Sequence, residues 1–349
     1  MLETAENGRQ LEQLTRENTR VLLIDLDRSF LQDDDTPDIV KRKVSVFNEF
    51  LAALAYKSSK NFIPVILTQR PWSVFDGNDA SPKFSLLLQI NQQLHDLTGK
   101  VVTANPFIAL AELGGIALTR NWQEGWIMEK NPLLQDIGLD DRVKELTSWF
   151  IKMNLIPEPG RTYSGPIGDQ HLETTNLEGG NIFYVAVQEK SGDAMNVAKK
   201  VILAKLIKTL LWENGESGIL NAFSIVTSGR DLDFLPKIYQ ELGKLIGANW
   251  IMKLLKAKYD WFSFKNLIAV DDQSHVAGLL FKKILAAGGH AIAVANADLR
   301  LKQICSESNG IVSQYSYFLG VLDGLNQAII GKSLPEEEIM KIGAELNRI

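Results

Sequence analysis

Val21-Leu22-Leu23-Ile24-Asp25-Leu26-Asp27 decides how this chain is read: an unbroken apolar run that ends on two aspartates one residue apart. A short run of this kind, β-branched in part, is what a strand buried on both faces of a parallel sheet looks like. Open parallel sheets bind their ligands beyond the C-terminal ends of their strands, so both carboxylates stand where chemistry is expected. Taken alone, Asp-x-Asp after a strand reads equally well as helix capping or loop solvation. The weight comes from what surrounds it.

Downstream lies a polar loop with Asp33-Asp34-Asp35, read as solvated, and then Pro37. Helical spacing follows over residues 39–56 through Val40, Val44, Phe47, Phe50, Leu51 and Leu54. A second buried-strand run, Ile63-Pro64-Val65-Ile66-Leu67, ends at Thr68. Strand, helix, strand is a parallel βαβ unit. The C-terminal third repeats the grammar: helix at 250–255, strand at 266–270 ending on Asp271-Asp272, helix at 276–286, strand at 290–294. Ser333-x-x-Glu336 has the form of a capping box, with Pro335 expected in the first turn of a last helix striped by Ile339, Ile342, Leu346 and Ile349.

The middle of the chain differs. Residues 121–160 are rich in Trp, Pro and polar residues, and 161–181 read as a long loop. A strand at 182–187, an amphipathic helix at about 194–212 and a strand at 223–226 then form a compact α/β block. The expected organisation is an α/β protein with a parallel central sheet, built from residues 20–120 and 233–335. Residues 121–232 are inserted as a second α/β domain, 1–19 are a polar lead-in, and 336–349 are a C-terminal helix.

Composition narrows the function. The 349 residues suit two domains, and a formal net charge of −5 points to no nucleic-acid partner and no anionic membrane. No segment approaches the ~20 apolar residues of a membrane span, and the N-terminus lacks the apolar region of a signal peptide. The single cysteine, Cys305, permits no intrachain disulfide and is read as packing. The cytoplasm is the default location.

Three predicted strands thus end in chemically useful residues: Asp25 with Asp27, Thr68, and Asp271 with Asp272. Their order resembles the haloacid-dehalogenase (HAD) superfamily. VLLIDLDRSF is similar to its first motif, a strand followed by D-x-D-x-T/S, and LTQRP to its second, usually T-G-R-P. Lys244, in GKLIGANWIMKLL, resembles its third motif, and LIAVDDQSHVAGLL its fourth, usually G-D-x-x-N-D. NPFIALAELGGIAL resembles an "ENGG" stretch, and AIAVANADLRLKQICSESNGIVSQYSYFLGVLDGL the family's tail, with Asn296 inside it. The order and spacing fit the branch with a large α/β cap, which includes sucrose-phosphate, mannosyl-phosphoglycerate and trehalose-phosphate phosphatases.

The resemblance implies a HAD-like Rossmannoid core, Mg²⁺ as cofactor, and a small phosphorylated substrate, a sugar phosphate above all. It implies Asp25 as the nucleophile that forms an aspartyl-phosphate, and Asp27 as acid and base. Thr68 and Lys244 stabilise developing charge. Gln69, Arg70 and Asn296 contact substrate. Asp25, Asp272 and Asp27, through its carbonyl, hold the metal, with Asp271 beside them. The carboxylates are expected to share one cleft with the Thr68 hydroxyl and the Lys244 ammonium.

The chain departs from the pattern in informative places. Val276 stands where the fourth motif carries its second acid, His275 where it carries Asn, and Asp271 where it carries Gly. Gln69 replaces the second motif's glycine, and Leu113 the asparagine of "ENGG". Outer support of this kind commonly matters 10–100-fold, so two alternatives stand beside an active phosphatase. One is a weakened or inactive HAD-fold protein that binds a phosphorylated ligand in a regulatory role. The other is a receiver domain phosphorylated on Asp, which leaves the inserted block unexplained. His171 and Glu173 read as loop, Lys199, Lys200, Lys205 and Lys208 as a solvated helix face, and Trp122, Trp126 and Trp149 as packing.

Overall fold

The computed structural model describes residues 18–75, 86, 87, 90, 107–121, 125–156, 172–174, 182–189, 191, 193–227 and 231–346. The chain opens with β1 (Thr19–Ile24), α1 (Pro37–Ser58) and β2 (Asn61–Leu67). Helix α1 starts where the sequence supplies a start: Thr36 caps it through Oγ1, which accepts the Ile39 N–H, and Pro37 fills the first position. Its buried stripe of Val40, Val44, Phe47, Leu51 and Leu54 is the one the spacing predicts. Next come β3 (Phe107–Ala111), a turn at Glu112–Gly114, β4 (Ile116–Asn121) and β5 (Gly125–Lys130).

The chain then builds α2 (Pro132–Asp136), α3 (Leu139–Lys152), β6 (Leu172–Thr174), β7 (Val185–Glu189), α4 (Val197–Glu213), α5 (Ser217–Ala222), β8 (Phe223–Val226), β9 (Leu232–Pro236) and α6 (Lys237–Leu242). It ends with α7 (Leu245–Lys258), β10 (Leu267–Asp271), α8 (Ser274–Ala286), β11 (His290–Ala293), α9 (Leu299–Glu307), β12 (Ile311–Val312), α10 (Tyr317–Ile330) and α11 (Glu336–Leu346).

These elements form two compact units. The larger holds an 8-stranded sheet in the order β12-β11-β10-β1-β2-β3-β4-β5, parallel from β12 to β3 and antiparallel between β3 and β4. Its central strands are buried, with Val21 and Leu22 at 0% exposure, which is why they read as continuous apolar runs rather than as alternation. The smaller unit, Pro71–Ser73 with Lys130–Glu241, carries a 4-stranded antiparallel sheet in the order β6-β7-β9-β8. Trp149, Phe150 and Phe234 pack edge to face inside it. No helix among the described residues is long and apolar enough to cross a membrane.

Several expectations are corrected. The boundary expected at residue 121 falls later, because β5 still belongs to the large sheet. Helix α11 begins at Glu336, and the Ile339 N–H bonds the Pro335 carbonyl, so Pro335 occupies the cap position and Ser333 lies too early to cap. The Asp33–Asp35 loop is not uniformly solvated: Asp35 is buried and accepts the Lys43 ammonium at 2.5 Å and the Gln32 N–H at 2.8 Å. Lys43 also donates to the Phe30 carbonyl, so this pair clasps the loop after β1 to α1. The lysines of α4 divide: Lys200 is buried, Lys199 pairs with Glu189 at 2.6 Å, and Lys205 and Lys208 are exposed. Cys305 is buried in α9, as packing requires. The lead-in, His171 and Trp122, and the side chains of Glu173 and Trp126, lie outside the described residues.

Candidate active site

Strand register brings the acids together. Ile24 of β1 pairs with Val270 of β10 and with Ile66 of β2, all parallel, so Asp25, Asp271 and Thr68 leave the same edge of three neighbouring strands. The Asp25 N–H continues the ladder to the Val270 carbonyl at 3.0 Å. Lys244 arrives from elsewhere, as the residue that caps α7. Its approach depends on Gly243, whose φ is +52° and where a Cβ would lie 2.1 Å from the Val276 carbonyl oxygen. That same carbonyl accepts the Lys244 N–H at 2.8 Å. Val276 therefore contributes backbone here rather than a carboxylate, and its side chain is buried.

The Lys244 ammonium donates to Asp25 Oδ1 and to Asp271 Oδ2, the latter at 2.6 Å. Asp25 Oδ2 accepts the Ser29 hydroxyl at 3.1 Å. Asp271 Oδ1 accepts the N–H groups of Asp272 and Gln273 at 2.9 and 3.0 Å. Both oxygens of Asp271 are thus engaged, and the residue that replaces a glycine seats the lysine and the turn into α8. Asp272 is different: Oδ2 lies 3.7 Å from Arg28 Nε, and Oδ1 is buried with no hydrogen-bond partner.

These surroundings set the charge. Burial, joined by the charges of Asp271, Asp27 and Asp272, outweighs the pull of Lys244 and holds the Asp25 carboxyl well above its ordinary value. Burial and then Asp271 push Asp272 up to about 7, against Lys244 and Arg28. Burial alone lowers Lys244, but Asp25 and Asp271 more than reverse that and raise it. Ligand atoms of Asp25, Asp271 and Asp272 all lie within 4.8 Å of one another. An all-oxygen set with excess negative charge and one orphaned buried carboxylate oxygen fits a hard divalent cation such as Mg²⁺.

Asp27 is held by Arg70 in a two-pronged pair: Nε lies 3.0 Å from each carboxylate oxygen, and Nη2 2.7 Å from Oδ1. Both side chains are about a third exposed, 37% for Arg70 and 33% for Asp27. Arg70 is placed by Thr68, whose buried hydroxyl oxygen accepts the Arg70 N–H at 3.1 Å. The turn after β3 fixes this loop, with the Leu113 N–H on the Thr68 carbonyl and the Glu112 N–H on the Arg70 carbonyl. Glu112, Leu113 and Gly114 all adopt positive φ, at 50°, 56° and 94°. Asparagine tolerates that conformation better than leucine, which explains the residue type the "ENGG" comparison expects at 113. Gln69 is half-buried between Thr68 and Arg70.

Asn296 is committed to the protein. Its Nδ2 donates to the Arg28 carbonyl at 2.7 Å and its Oδ1 accepts the Tyr317 N–H at 2.9 Å. His275 is exposed. Asp298 accepts the Ser274 and Leu301 N–H groups at 2.6 and 2.8 Å, so one carboxylate stitches the starts of α8 and α9. Ser29 and Arg28 were not singled out from the sequence. The signal for Ser29 was present, because it fills the T/S position of D-x-D-x-T/S. Arg28, at φ 61°, and the Asp35–Lys43 clasp carry no such signal.

No protein-family model matches the chain, and no curated protein does. Among solved structures it is similar to a hypothetical protein of Geobacillus kaustophilus HTA426, at 13% identity and a TM-score of 0.44 over 89% of this chain and 98% of that one. It is also similar to the haloacid dehalogenase-like hydrolase protein yhjK of Bacillus subtilis, at 14% identity and a TM-score of 0.41 over 89% and 93%. A third similar structure is the IMP-nucleotidase of Plasmodium falciparum, at 13% identity and a TM-score of 0.41 over 76% and 62%.

Proposed function

We propose that this chain is a Mg²⁺-dependent phosphohydrolase of the haloacid-dehalogenase superfamily, acting on a small phosphomonoester of the sugar-phosphate class, with Asp25 as the phosphoryl acceptor. One observation carries the reading: Asp25, Asp271 and Asp272 converge around a single buried lysine, with Asp272 Oδ1 left without a partner. Asp25 and Asp272, with the Asp27 carbonyl, would hold Mg²⁺. When bound, the ion neutralises the repulsion between carboxylate and phosphate and shares the charge of the transferring group.

In this reading an Asp25 oxygen bonds to phosphorus as the ester P–O bond breaks, and Asp27 gives its proton to the departing oxygen. Asp27 then takes a proton from water, whose oxygen attacks phosphorus and releases Asp25. Lys244 balances the charge of Asp25 throughout, and Asp271 keeps it in place. Thr68, Gln69 and Arg70 lie at the end of β2, where phosphate oxygens are expected. Asn296 acts by holding the loop after β1, through the Arg28 carbonyl, rather than by touching substrate.

The test is a panel of phosphorylated sugars, glycosides and nucleotides with and without Mg²⁺, run on the chain and on Asp25→Asn. Turnover that needs Mg²⁺ and vanishes in Asp25→Asn supports the proposal. A second reading, a phosphate-binding protein with weakened catalysis, is favoured by Val276 standing buried in place of an acid. It wins if both proteins release phosphate at the same background rate while a sugar phosphate raises the melting temperature.

A further inference from the structure

Away from the carboxylates, the large unit carries a cavity of about 400 Å³ lined by Asn249, Met252, Lys253, Lys256, Ser263 and Phe264. The first four share one face of α7, at helical spacing, and the last two close the groove from the segment before β10. Met252 is 4% exposed and Phe264 half-buried, so the floor is apolar, while the rim is cationic. A third ammonium joins the rim from α8. Lys283 Nζ donates to Asn249 Oδ1 at 3.0 Å and sits 4.4 Å from the centroid of the Phe264 ring.

Two features separate this groove from an ordinary solvated lysine face. Among the described residues no carboxylate lines it, and no ion pair joins Lys253, Lys256 or Lys283 to an acid. In a chain of net charge −5, three ammonium groups with no acid partner among the described residues, around one concavity, are a local surplus. Lys283 is also held from two sides, by an amide oxygen and a ring face, so its charge is aimed before any ligand arrives.

We propose that this groove is a binding site for a small organic phosphate with an apolar body, of the size of a nucleoside monophosphate. The volume lies within the ~300–1,000 Å³ usual for small-molecule sites. The apolar body rests on Met252 and Phe264. The phosphate is shared by Lys253, Lys256 and Lys283, with the Asn249 amide nitrogen as a further donor, since Asn249 Oδ1 holds Lys283 and the Ser263 hydroxyl is engaged with Asn266. The site is separate from the carboxylate cluster: Lys244 and Lys253 are nine residues apart on α7, roughly 13 Å along the axis.

Calorimetric titration of the full chain with AMP in EDTA, beside adenosine and inorganic phosphate, tests this. AMP should bind, and adenosine and phosphate alone each at least ~10-fold more weakly, because the groove needs both halves. Lys253→Ala/Lys256→Ala should weaken AMP at least ~10-fold, and Phe264→Ala should weaken it as well, while Asp25→Asn should not. Both lysines are exposed, so the double variant is expected to fold. The proposal fails if AMP does not bind, or if binding survives the lysine pair. Binding lost in Asp25→Asn also overturns it, since AMP would then occupy the carboxylate site.

Discussion

Lys244 and Asp271, 27 residues apart, meet as an ion pair at 2.6 Å in which each side chain is only 3% exposed. The same ammonium reaches Asp25, so one lysine compensates two buried carboxylates. Removing one partner of a buried pair typically costs about 3–5 kcal/mol, because the other charge is stranded. Lys244→Ala is therefore expected to lose stability of that order at pH 8 in urea melts. The loss should shrink at pH 5, where Asp25 and Asp272, already raised, take up protons instead. An equal loss at both pH values would show that Lys244 contributes packing rather than charge.

The raised carboxyls also fix the pH dependence of the metal-free protein. Asp272 moves from an ordinary 3.8 up to about 7 on folding, so the folded state binds its proton more tightly than the unfolded one. Its stabilising contribution is complete below pH 3.8 and is lost as pH rises through about 7. Asp25 shifts in the same direction. Stability in EDTA should thus decline between about pH 4 and 7. In the phosphohydrolase reading Mg²⁺ is held by the ionised carboxylates, so its stabilising effect should be small at pH 5 and full at pH 8. Each kcal/mol of binding should raise Tm by roughly 2–4 °C. A Mg²⁺ shift of the same size at pH 5 and pH 8 would contradict this assignment.

Much of the large unit was legible because its strands obey a simple rule: buried on both faces, they are written as unbroken apolar runs, and the acids follow where the runs stop. Asp25, Thr68, Asp271 and Asp272 could be placed at strand ends for that reason. Lys244 was found through the shape of a motif, since nothing local marks a lysine that folds back across 219 residues to Asp25. The partners of these residues were less legible. Whether an amide such as Asn296 faces a ligand or the backbone depends on loops whose course no periodicity encodes. Asp35 looked like its neighbours Asp33 and Asp34, and only the arrival of Lys43 from α1 separates them. Strand β5 lies within residues 121–160, which read as part of the inserted block because they are rich in Trp, Pro and polar residues, a composition that carries no sign of an edge strand of the large sheet.

Gly114 makes the tightest backbone approach in the turn that holds Thr68 and Arg70. A Cβ there would lie 2.1 Å from Gly247 Cα, and its φ is +94°. Gly114→Ala should cost roughly 2–4 kcal/mol, since neither backbone can yield without moving α7 or the turn. Gly331, also at positive φ but with nothing within 4 Å of its Cβ position, serves as the control. Gly331→Ala should cost only about 1 kcal/mol. If the two variants melt together, the Gly114–Gly247 contact is looser than described.

Arg70 grips Asp27 with a planar fork, and a fork fixes direction as well as distance. Lysine keeps the charge but offers a single ammonium on a flexible stem, so Arg70→Lys should leave the Asp27 carboxylate free to rotate. In the phosphohydrolase reading, a misdirected acid and base slows the chemical step, where correct placement is worth about 10²–10⁴-fold. The expected result is a fall of roughly 10-fold or more in kcat for Arg70→Lys. KM should change less, because the charge near the end of β2 is retained. Arg70→Ala should lose more, and added guanidinium should restore part of its kcat by refilling the fork. A rise in KM with kcat unchanged would instead make Arg70 a substrate anchor, and the Asp27 pair a resting contact that the substrate displaces.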